Sequence, residues 1–185
     1  QLIGRLVPRR TPQLQAGPAA SGVEVVRIPN KRREDIVALL NTTPHAGRKL
    51  HAPVIIIPPA HGKRKESTSV LAPILVESFA RARRDVVVLR FDGVRNIGES
   101  YKDPDCREPG REAMRSTLSQ GVDDIHTALD YVYNNPHFTP AEVVLCCFSL
   151  QGVPGRRAAF VDQGKRVHYL IGVNGAVAAQ EMIRN

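Results

Sequence analysis

Three runs of apolar and mostly β-branched residues constrain the fold of this chain more than any other feature. They are "PVIII" at 53–57, "VVVL" at 86–89 and "EVVLCC" at 142–147. Such runs, without alternating polar residues, are typical of strands buried on both faces. Helical patterns separate them, and strand–helix alternation places helices on both faces of a parallel sheet. The sequence therefore predicts an α/β fold with a mostly parallel sheet.

Two segments between these runs carry apolar residues at helical spacing. The first segment holds Val70, Leu71, Ile74, Leu75 and Phe79. The second holds Leu118, Val122, Ile125, Leu129 and Val132. Either Ser67 or Ser69 can cap the first helix. A third, short helix is predicted at 152–164, directly after the last of the three apolar runs.

The remaining segments complete the expected organisation. "VEVVRIP" at 23–29 and "VHYLIGVNG" at 167–175 read as strands, whereas 35–41 fits either a strand or a helical turn. Residues 1–22 contain three prolines and no clear period, which indicates a linker or an extended arm. The predicted core is therefore 23–185, and the missing initial Met suggests a piece of a longer protein.

Composition narrows the classes of function. The chain carries 26 basic and 18 acidic residues, a net charge of +8, but has no Trp and only 5% aromatic residues. Single-stranded nucleic-acid readers need aromatic platforms, so we expect no nucleic-acid partner. No apolar run is long enough to span a membrane. Three cysteines, two of them adjacent in a strand, suit a reducing compartment and predict a cytoplasmic protein.

Ser149 ends the third apolar run, in "EVVLCCFSLQG". Functional sites of parallel sheets gather at the carboxyl ends of the strands. A serine between a strand and a helix is typical of a nucleophile elbow, although an ordinary helix cap is the alternative. The flanking pattern departs from G-x-S-x-G, because Gln151 stands where the second glycine is expected and Gly152 follows one place later.

The loop after the first apolar run reads Ala60, His61, Gly62 and then the basic residues Lys63, Arg64 and Lys65. Small residues at such a strand end let backbone N–H groups approach a substrate, so we expect this loop to supply an oxyanion donor at His61. The alternative is a solvated basic turn. If the loop is functional, its three basic residues are candidates for docking an acidic protein partner or a phosphate group at the site.

Three blocks together resemble the bacterial bioluminescence acyltransferases, a family of myristoyl-carrier-protein thioesterases with the α/β-hydrolase fold. These blocks are "VVVLRFDGVRNIGES", "VVLCCFSLQG" and "VHYLIGVNGAVAAQEMIRN", and the resemblance spans about 52–185. It implies that Ser149 is the nucleophile, that the Leu150 N–H and the His61 loop form the oxyanion hole, and that the chain is a partial α/β-hydrolase core without cap or final strands.

The sequence departs from the family pattern in ways that limit how far the family's residue roles apply to this chain. Pro154 and Gly155 lie early in the helix behind Ser149, and proline beyond the first turn would kink it. The acid and histidine of a triad follow the serine in this fold. Only Asp162, His168 and Glu181 do so here, and the first two are expected far from Ser149. The positions of the triad acid and histidine therefore stay open.

The expected function is serine-dependent acyl transfer or thioester hydrolysis, with fatty acyl-carrier protein or acyl-CoA as donor and no metal or organic cofactor. The alternative is a non-catalytic hydrolase-like module, which binds a partner or associates with itself through an exposed sheet edge. A small nucleotide-binding domain fits less well, because no glycine-rich phosphate loop follows any strand.

Overall fold

The computed structural model describes residues 22–106 and 108–174. The strands are β1 (Val23–Pro29), β2 (Asp35–Thr42), β3 (Leu50–Ile57), β4 (Val87–Phe91), β5 (Phe138–Phe148) and β6 (Tyr169–Val173). The helices are α1 (Leu71–Arg81), α2 (Leu118–Asn134) and α3 (Gly152–Val161). Short 3₁₀ turns cover Lys65–Thr68, Glu112–Met114 and Ser149–Gln151. The arm predicted at 1–22 lies outside the described residues except for Gly22, and so does Glu181.

The six strands form one sheet in the order β1-β2-β4-β3-β5-β6. β3 pairs in parallel with both β4 and β5, and β5 pairs in parallel with β6. β1 and β2 form an antiparallel hairpin, and β2 joins β4 antiparallel. The mostly parallel α/β sheet expected from the sequence is confirmed, and the ambiguous segment at 35–41 is a strand.

The two faces of the sheet carry separate apolar cores. Ala72 and Val76 of α1 pack on one face, together with Ile55 and Val88 from the central strands. Residues of α2 and α3 pack on the other face; they include Ile125, Ala128, Leu129, Val132 and Ala158. All five residues of β4 are buried. Continuous apolar runs were the correct signal because both faces of these strands are covered by helices.

The first helix differs from its expected form. The helix begins after Val70, and no side chain caps it. Ser67 belongs to the preceding 3₁₀ turn, and Ser69 is the C-cap of that turn, so neither serine caps α1 as expected. Val70 and Ile74 are 71% and 52% exposed, so the predicted apolar stripe was wrong at these two positions. At about 100° per residue they lie on the side of the helix opposite Ala72 and Val76, which are the residues that face the sheet.

The second helix follows its prediction more closely. The Thr117 side chain accepts a hydrogen bond from the Gln120 N–H and caps α2. Ile125, Leu129 and Val132 are fully buried, whereas Leu118 is 37% exposed at the first turn. That turn lies at the edge of the sheet where the parallel strands end. No helix among the described residues is long and apolar enough to cross a bilayer.

Candidate active site

Ser149 occupies the turn between β5 and α3. β5 ends at Phe148, a single 3₁₀ turn covers Ser149–Gln151, and α3 begins at Gly152. Ser149 is exposed and has a φ of 53°, in the left-handed region that residues with a side chain seldom occupy. The strand-to-helix turn that the sequence predicted is present, and the backbone of Ser149 is strained. An ordinary N-cap would have extended backbone, so this geometry favours the elbow.

Close packing of α3 on β5 holds this turn. A Cβ placed on Gly155 would lie 2.4 Å from the Cys147 Sγ, so only glycine fits there. Pro154 is the third residue of α3, where its missing N–H has no intrahelical acceptor to lose. The helix runs on to Val161 without a break, so the expected disruption by Pro154 does not occur. The glycine that permits close packing behind Ser149 is therefore Gly155, six residues after the serine.

The bulk of Gln151 is accommodated by a neighbouring helix. A Cβ placed on Gly121 of α2 would come within 3.3 Å of the Gln151 Nε2 and 3.2 Å of the Pro154 Cβ. The absence of a side chain at Gly121 therefore makes room for both residues. This compensation comes from a position 30 residues away in the chain, which the local motif does not reveal.

A cleft of about 190 Å³ opens beside the elbow. Its walls come from the loop after β3, the loop after β4, the start of α2 and the turn after Ser149. The lining residues are Pro59, His61, Phe91, Gly93, Asn96, Ser116, Thr117, Leu118, Gly121, Asp124, Leu150 and Gln151. The structure thus brings His61 and Leu150 together at one cleft. Leu150 directly follows Ser149 in the chain, whereas His61 comes from the loop after β3.

The backbone around this cleft is suited to bind an oxyanion. Leu150 lies in the first turn after Ser149, where N–H groups have no intrahelical acceptor. The His61 loop is a tight turn in which the Lys63 N–H donates to the Ala60 carbonyl at 2.9 Å, and Gly62 has a φ of 66°. Neither loop needs a side chain to act, because backbone N–H groups supply the donors.

Lys65 does not belong to a basic docking surface, and that expectation was wrong for this residue. Its side chain is 2% exposed, and its Nζ lies 2.9 Å from Asp92 Oδ2 and 2.6 Å from Glu99 Oε2. Burial opposes the charged form, but hydrogen bonds to Glu99, Asp92 and Glu66 raise the pKa of Lys65 above its ordinary value. Lys63 and Arg64 are exposed, as a docking role requires.

Asp92 is a buried acceptor that the sequence analysis missed. It follows β4 and is 0% exposed. Its carboxylate accepts from the Lys65 N–H at 2.6 Å and from the Glu99 N–H at 2.8 Å. Its backbone carbonyl accepts from the Ser100 hydroxyl at 2.8 Å. Its place directly after a buried parallel strand was the available signal, since such positions carry polar site residues.

Asp124 of α2 was also missed, although it lines the cleft. Its Oδ2 accepts from the Val94 N–H at 3.0 Å, and its Oδ1 accepts from Gln120 Nε2 at 2.8 Å. Burial raises the pKa of Asp124 to about 7, against the effect of these two hydrogen bonds. A charged residue beside the apolar stripe of a helix, four places after Gln120, was the only trace in the sequence.

The acid and histidine expected to be remote from Ser149 have other partners. Asp162 is bound by Arg166, whose Nε and Nη2 donate at 2.9 and 2.8 Å. His168 Nδ1 accepts from the Val143 N–H, six residues before Ser149 along β5, which is roughly 20 Å for an extended strand. Within 22–106 and 108–174 no histidine is hydrogen-bonded to a carboxylate or paired with one.

Comparison with known proteins supports the fold. No protein-family model and no curated protein sequence matches the chain. Among solved structures, a hypothetical protein of Pseudomonas aeruginosa has a TM-score of 0.65 at 20% identity over 92% of this chain and 48% of its own. The α/β hydrolase GrgF of Penicillium sp. sh18 has a TM-score of 0.62 at 17% identity, over 88% of this chain and 50% of its own. Est1E of Butyrivibrio proteoclasticus has a TM-score of 0.60 at 18% identity, over 86% of this chain and 54% of its own.

These likenesses define the class of fold. The chain has the α/β-hydrolase fold, and it spans about half the length of these similar structures. At such low identity the likeness shows architecture alone.

Proposed function

We propose that this chain carries the nucleophile of a serine-dependent hydrolase or acyltransferase. The observation that carries the proposal is the backbone of Ser149, which is left-handed and exposed at the end of a central parallel strand, beside a cleft shared by Leu150 and His61. A strained serine at this position of the fold is characteristic of nucleophile elbows. Hydrolases among the similar structures agree with this class of reaction.

In the proposed reaction, Ser149 Oγ attacks the carbonyl carbon of an ester or thioester and forms a tetrahedral adduct. The backbone N–H groups of Leu150 and the His61 loop donate to the oxyanion. Collapse of the adduct breaks the bond to the leaving alkoxide or thiolate and leaves an acyl-serine. Water or another acceptor then takes the acyl group.

The attack requires a base that accepts the serine proton. In this fold the acid and the histidine follow the nucleophile in the chain. No described residue after Ser149 fills these roles. Among the described histidines, His61 is the one that lines the cleft. Activity of the described part alone is therefore expected to be weak, with a residual on the order of 10³ to 10⁴ over water from the oxyanion hole and binding.

A carrier protein or coenzyme A is the proposed acyl donor. Lys63 and Arg64 are exposed on the loop that contributes His61 to the cleft, and the chain carries a net charge of +8. Their field would raise the association rate of an acidic carrier or a phosphopantetheine group, with screening beyond about 8 Å at physiological salt. Neutralising both residues should lower kcat/KM for a carrier-bound substrate and leave a small neutral ester unaffected.

Covalent labelling tests the nucleophile. A fluorophosphonate should add one phosphonyl group to the complete protein, and peptide mass spectrometry should place it on Ser149. The variant Ser149→Ala should lose the label, whereas Ser116→Ala is a matched control because Ser116 lines the same cleft without elbow geometry. Labelling that survives Ser149→Ala would overturn the proposal.

A non-catalytic binding module is the second candidate. It is favoured by one observation, the lack of a histidine–carboxylate pair in the part of the chain that the structure describes. In that case Ser149 would be inert to the fluorophosphonate even in the complete protein, and ester turnover would be unchanged by Ser149→Ala.

A further inference from the structure

The size of the cleft limits the acyl group that it can hold. Its volume is about 190 Å³. Pockets for drug-sized ligands span about 300 to 1,000 Å³, and a cavity of about 150 Å³ holds a single benzene. Within the described residues, the cleft beside Ser149 therefore encloses a group of roughly that size.

The lining of the cleft combines apolar and polar groups. Pro59, Phe91, Leu118 and Leu150 supply apolar wall, and polar side chains contribute to the rest of the lining. The polar side chains are those of His61, Asn96, Ser116, Thr117, Asp124 and Gln151. Binding pockets use a few such groups to fix orientation and specificity. A ligand that places a polar group among them exchanges hydrogen bonds with water for hydrogen bonds with the protein.

Asp124 and Asn96 are the two buried members of this set, and Asp124 is the one with an ionisable side chain. It is 3% exposed, and its two oxygens accept from the Val94 N–H and the Gln120 side chain. A carboxylate offers about four acceptor positions, so two remain. The group is preorganised, because both contacts fix its orientation before any ligand arrives.

A hydroxyl is the ligand group that matches Asp124 in either protonation state. Burial raises the pKa of this carboxyl to about 7, so both forms are present near neutrality. A hydroxyl donates to the carboxylate and accepts from the carboxylic acid. An ammonium group cannot accept the proton of the acid form, and a carboxylate cannot donate to the ionised form.

We propose that this cleft selects a short acyl group bearing a hydroxyl, which hydrogen-bonds to Asp124. This inference rests on the proposed function, since it names the substrate class of the same cleft. Asp124 then determines specificity, while Ser149 and the backbone donors perform the chemistry. A buried polar group left without its partner discriminates strongly against the analogue that lacks the hydroxyl.

Binding measurements on Ser149→Ala separate this inference from catalysis. The probes are N-acetylcysteamine thioesters of 3-hydroxybutyrate, 4-hydroxybutyrate, butyrate and decanoate, titrated by ¹H–¹⁵N NMR. We expect at least one hydroxylated thioester to bind about tenfold or more tightly than the butyryl one. Shifts should centre on the amides of Gly93, Val94 and Leu150. The decanoyl thioester should bind no better than the butyryl thioester.

Two substitutions of Asp124 complete the test. Asp124→Leu should abolish the preference for the hydroxylated thioester. Asp124→Asn retains a neutral acceptor of the same shape, so it should reduce the preference for the hydroxylated thioester severalfold. This variant should remain folded, and it therefore keeps the test valid if Asp124→Leu does not fold. The control Asp123→Asn, an exposed residue of the same helix that does not line the cleft, should preserve the preference. Equal binding of both short thioesters, failure of all to bind at millimolar concentration, or a preference unchanged in both Asp124 variants would overturn the inference. Failure of Ser149 labelling with the preference intact would remove the proposed function alone.

Discussion

Lys65 Nζ lies 2.9 Å from Asp92 Oδ2, and both side chains are buried. This ion pair joins the loop after β3, which carries His61, to the loop after β4, which carries Gly93 and Asn96. Both loops line the cleft beside Ser149. The shape of the candidate site therefore depends on a buried pair that does not itself line the cleft.

Replacement of Lys65 by Met should destabilise the fold by about 3 kcal/mol, because it leaves the Asp92 carboxylate buried without its cation. Urea unfolding measures the change. Lys63→Met on the same loop is exposed and should stay within about 0.5 kcal/mol of the wild type. Equal effects of the two substitutions would show that the Asp92 pair contributes nothing specific.

Gly98→Ala should cost more than Gly110→Ala. Both glycines have positive φ values, 132° and 90°. A Cβ on Gly98 would lie 2.2 Å from the Asp92 Cγ, whereas one on Gly110 meets nothing within 4 Å. Backbone strain alone accounts for about 1 to 2 kcal/mol at either site, and Gly98→Ala should exceed that range. Unfolding free energies that agree within error would contradict the close approach.

Gly155→Ala should destabilise the chain by about 1 to 3 kcal/mol, because its Cβ would overlap the Cys147 Sγ. The double variant Cys147→Ala with Gly155→Ala removes this overlap. In the Cys147→Ala background, Gly155→Ala should therefore be neutral or stabilising, since alanine favours a helix over glycine by about 1 kcal/mol. A cost that persists in that background would place the strain elsewhere.

Ser149→Gly should raise the free energy of unfolding by about 0.5 to 1 kcal/mol, because glycine adopts a φ of 53° without a steric penalty. Ser149→Ala keeps the Cβ and should leave stability within about 0.5 kcal/mol of the wild type. Both should lose the fluorophosphonate label. A destabilised glycine variant would show that the left-handed turn is not strained.

Asp124→Asn should change stability in a pH-dependent way. The folded-state pKa of Asp124 is raised to about 7 from 3.8 in the unfolded chain. Folding therefore favours the protonated form, and the wild type loses this contribution as pH rises through about 7. The unfolding free energy of the wild type should fall relative to Asp124→Asn by roughly 2 to 3 kcal/mol between about pH 5 and pH 8.

The neighbouring Asp123 provides the control for this measurement, because its side chain is 57% exposed. Asp123→Asn should shift stability by a similar small amount at both pH values. If the difference in unfolding free energy between the wild type and Asp124→Asn did not vary with pH, the Asp124 carboxyl would have to be solvated.

Much of the fold followed from local sequence. The apolar runs at 53–57, 86–89 and 142–147 identified the three central strands, because strands covered on both faces need no polar positions. The order of elements along the chain placed Ser149 between a strand and a helix at the carboxyl edge of the sheet. The structure has Ser149 at this strand-to-helix turn, with a left-handed backbone. The His61 loop and Leu150 were expected at one site, and both line the same cleft.

Local sequence failed where a residue's environment is set by distant parts of the chain. "KRK" reads as a solvated basic loop, yet Lys65 is buried because Asp92 and Glu99 approach it from another loop. Val70 and Ile74 fit a helical stripe, but the docking of α1 on the sheet turned them to solvent.

The sequence by itself determined the strand–helix alternation and the nucleophile candidate, since periodicity and turn chemistry act between near neighbours. Only the tertiary structure decided that Gly121 makes room for Gln151, that Asp92 holds Lys65, and that Asp124 reaches the cleft wall. These relations join residues 27 or more positions apart, and they arise from the packing of helices and loops on the sheet.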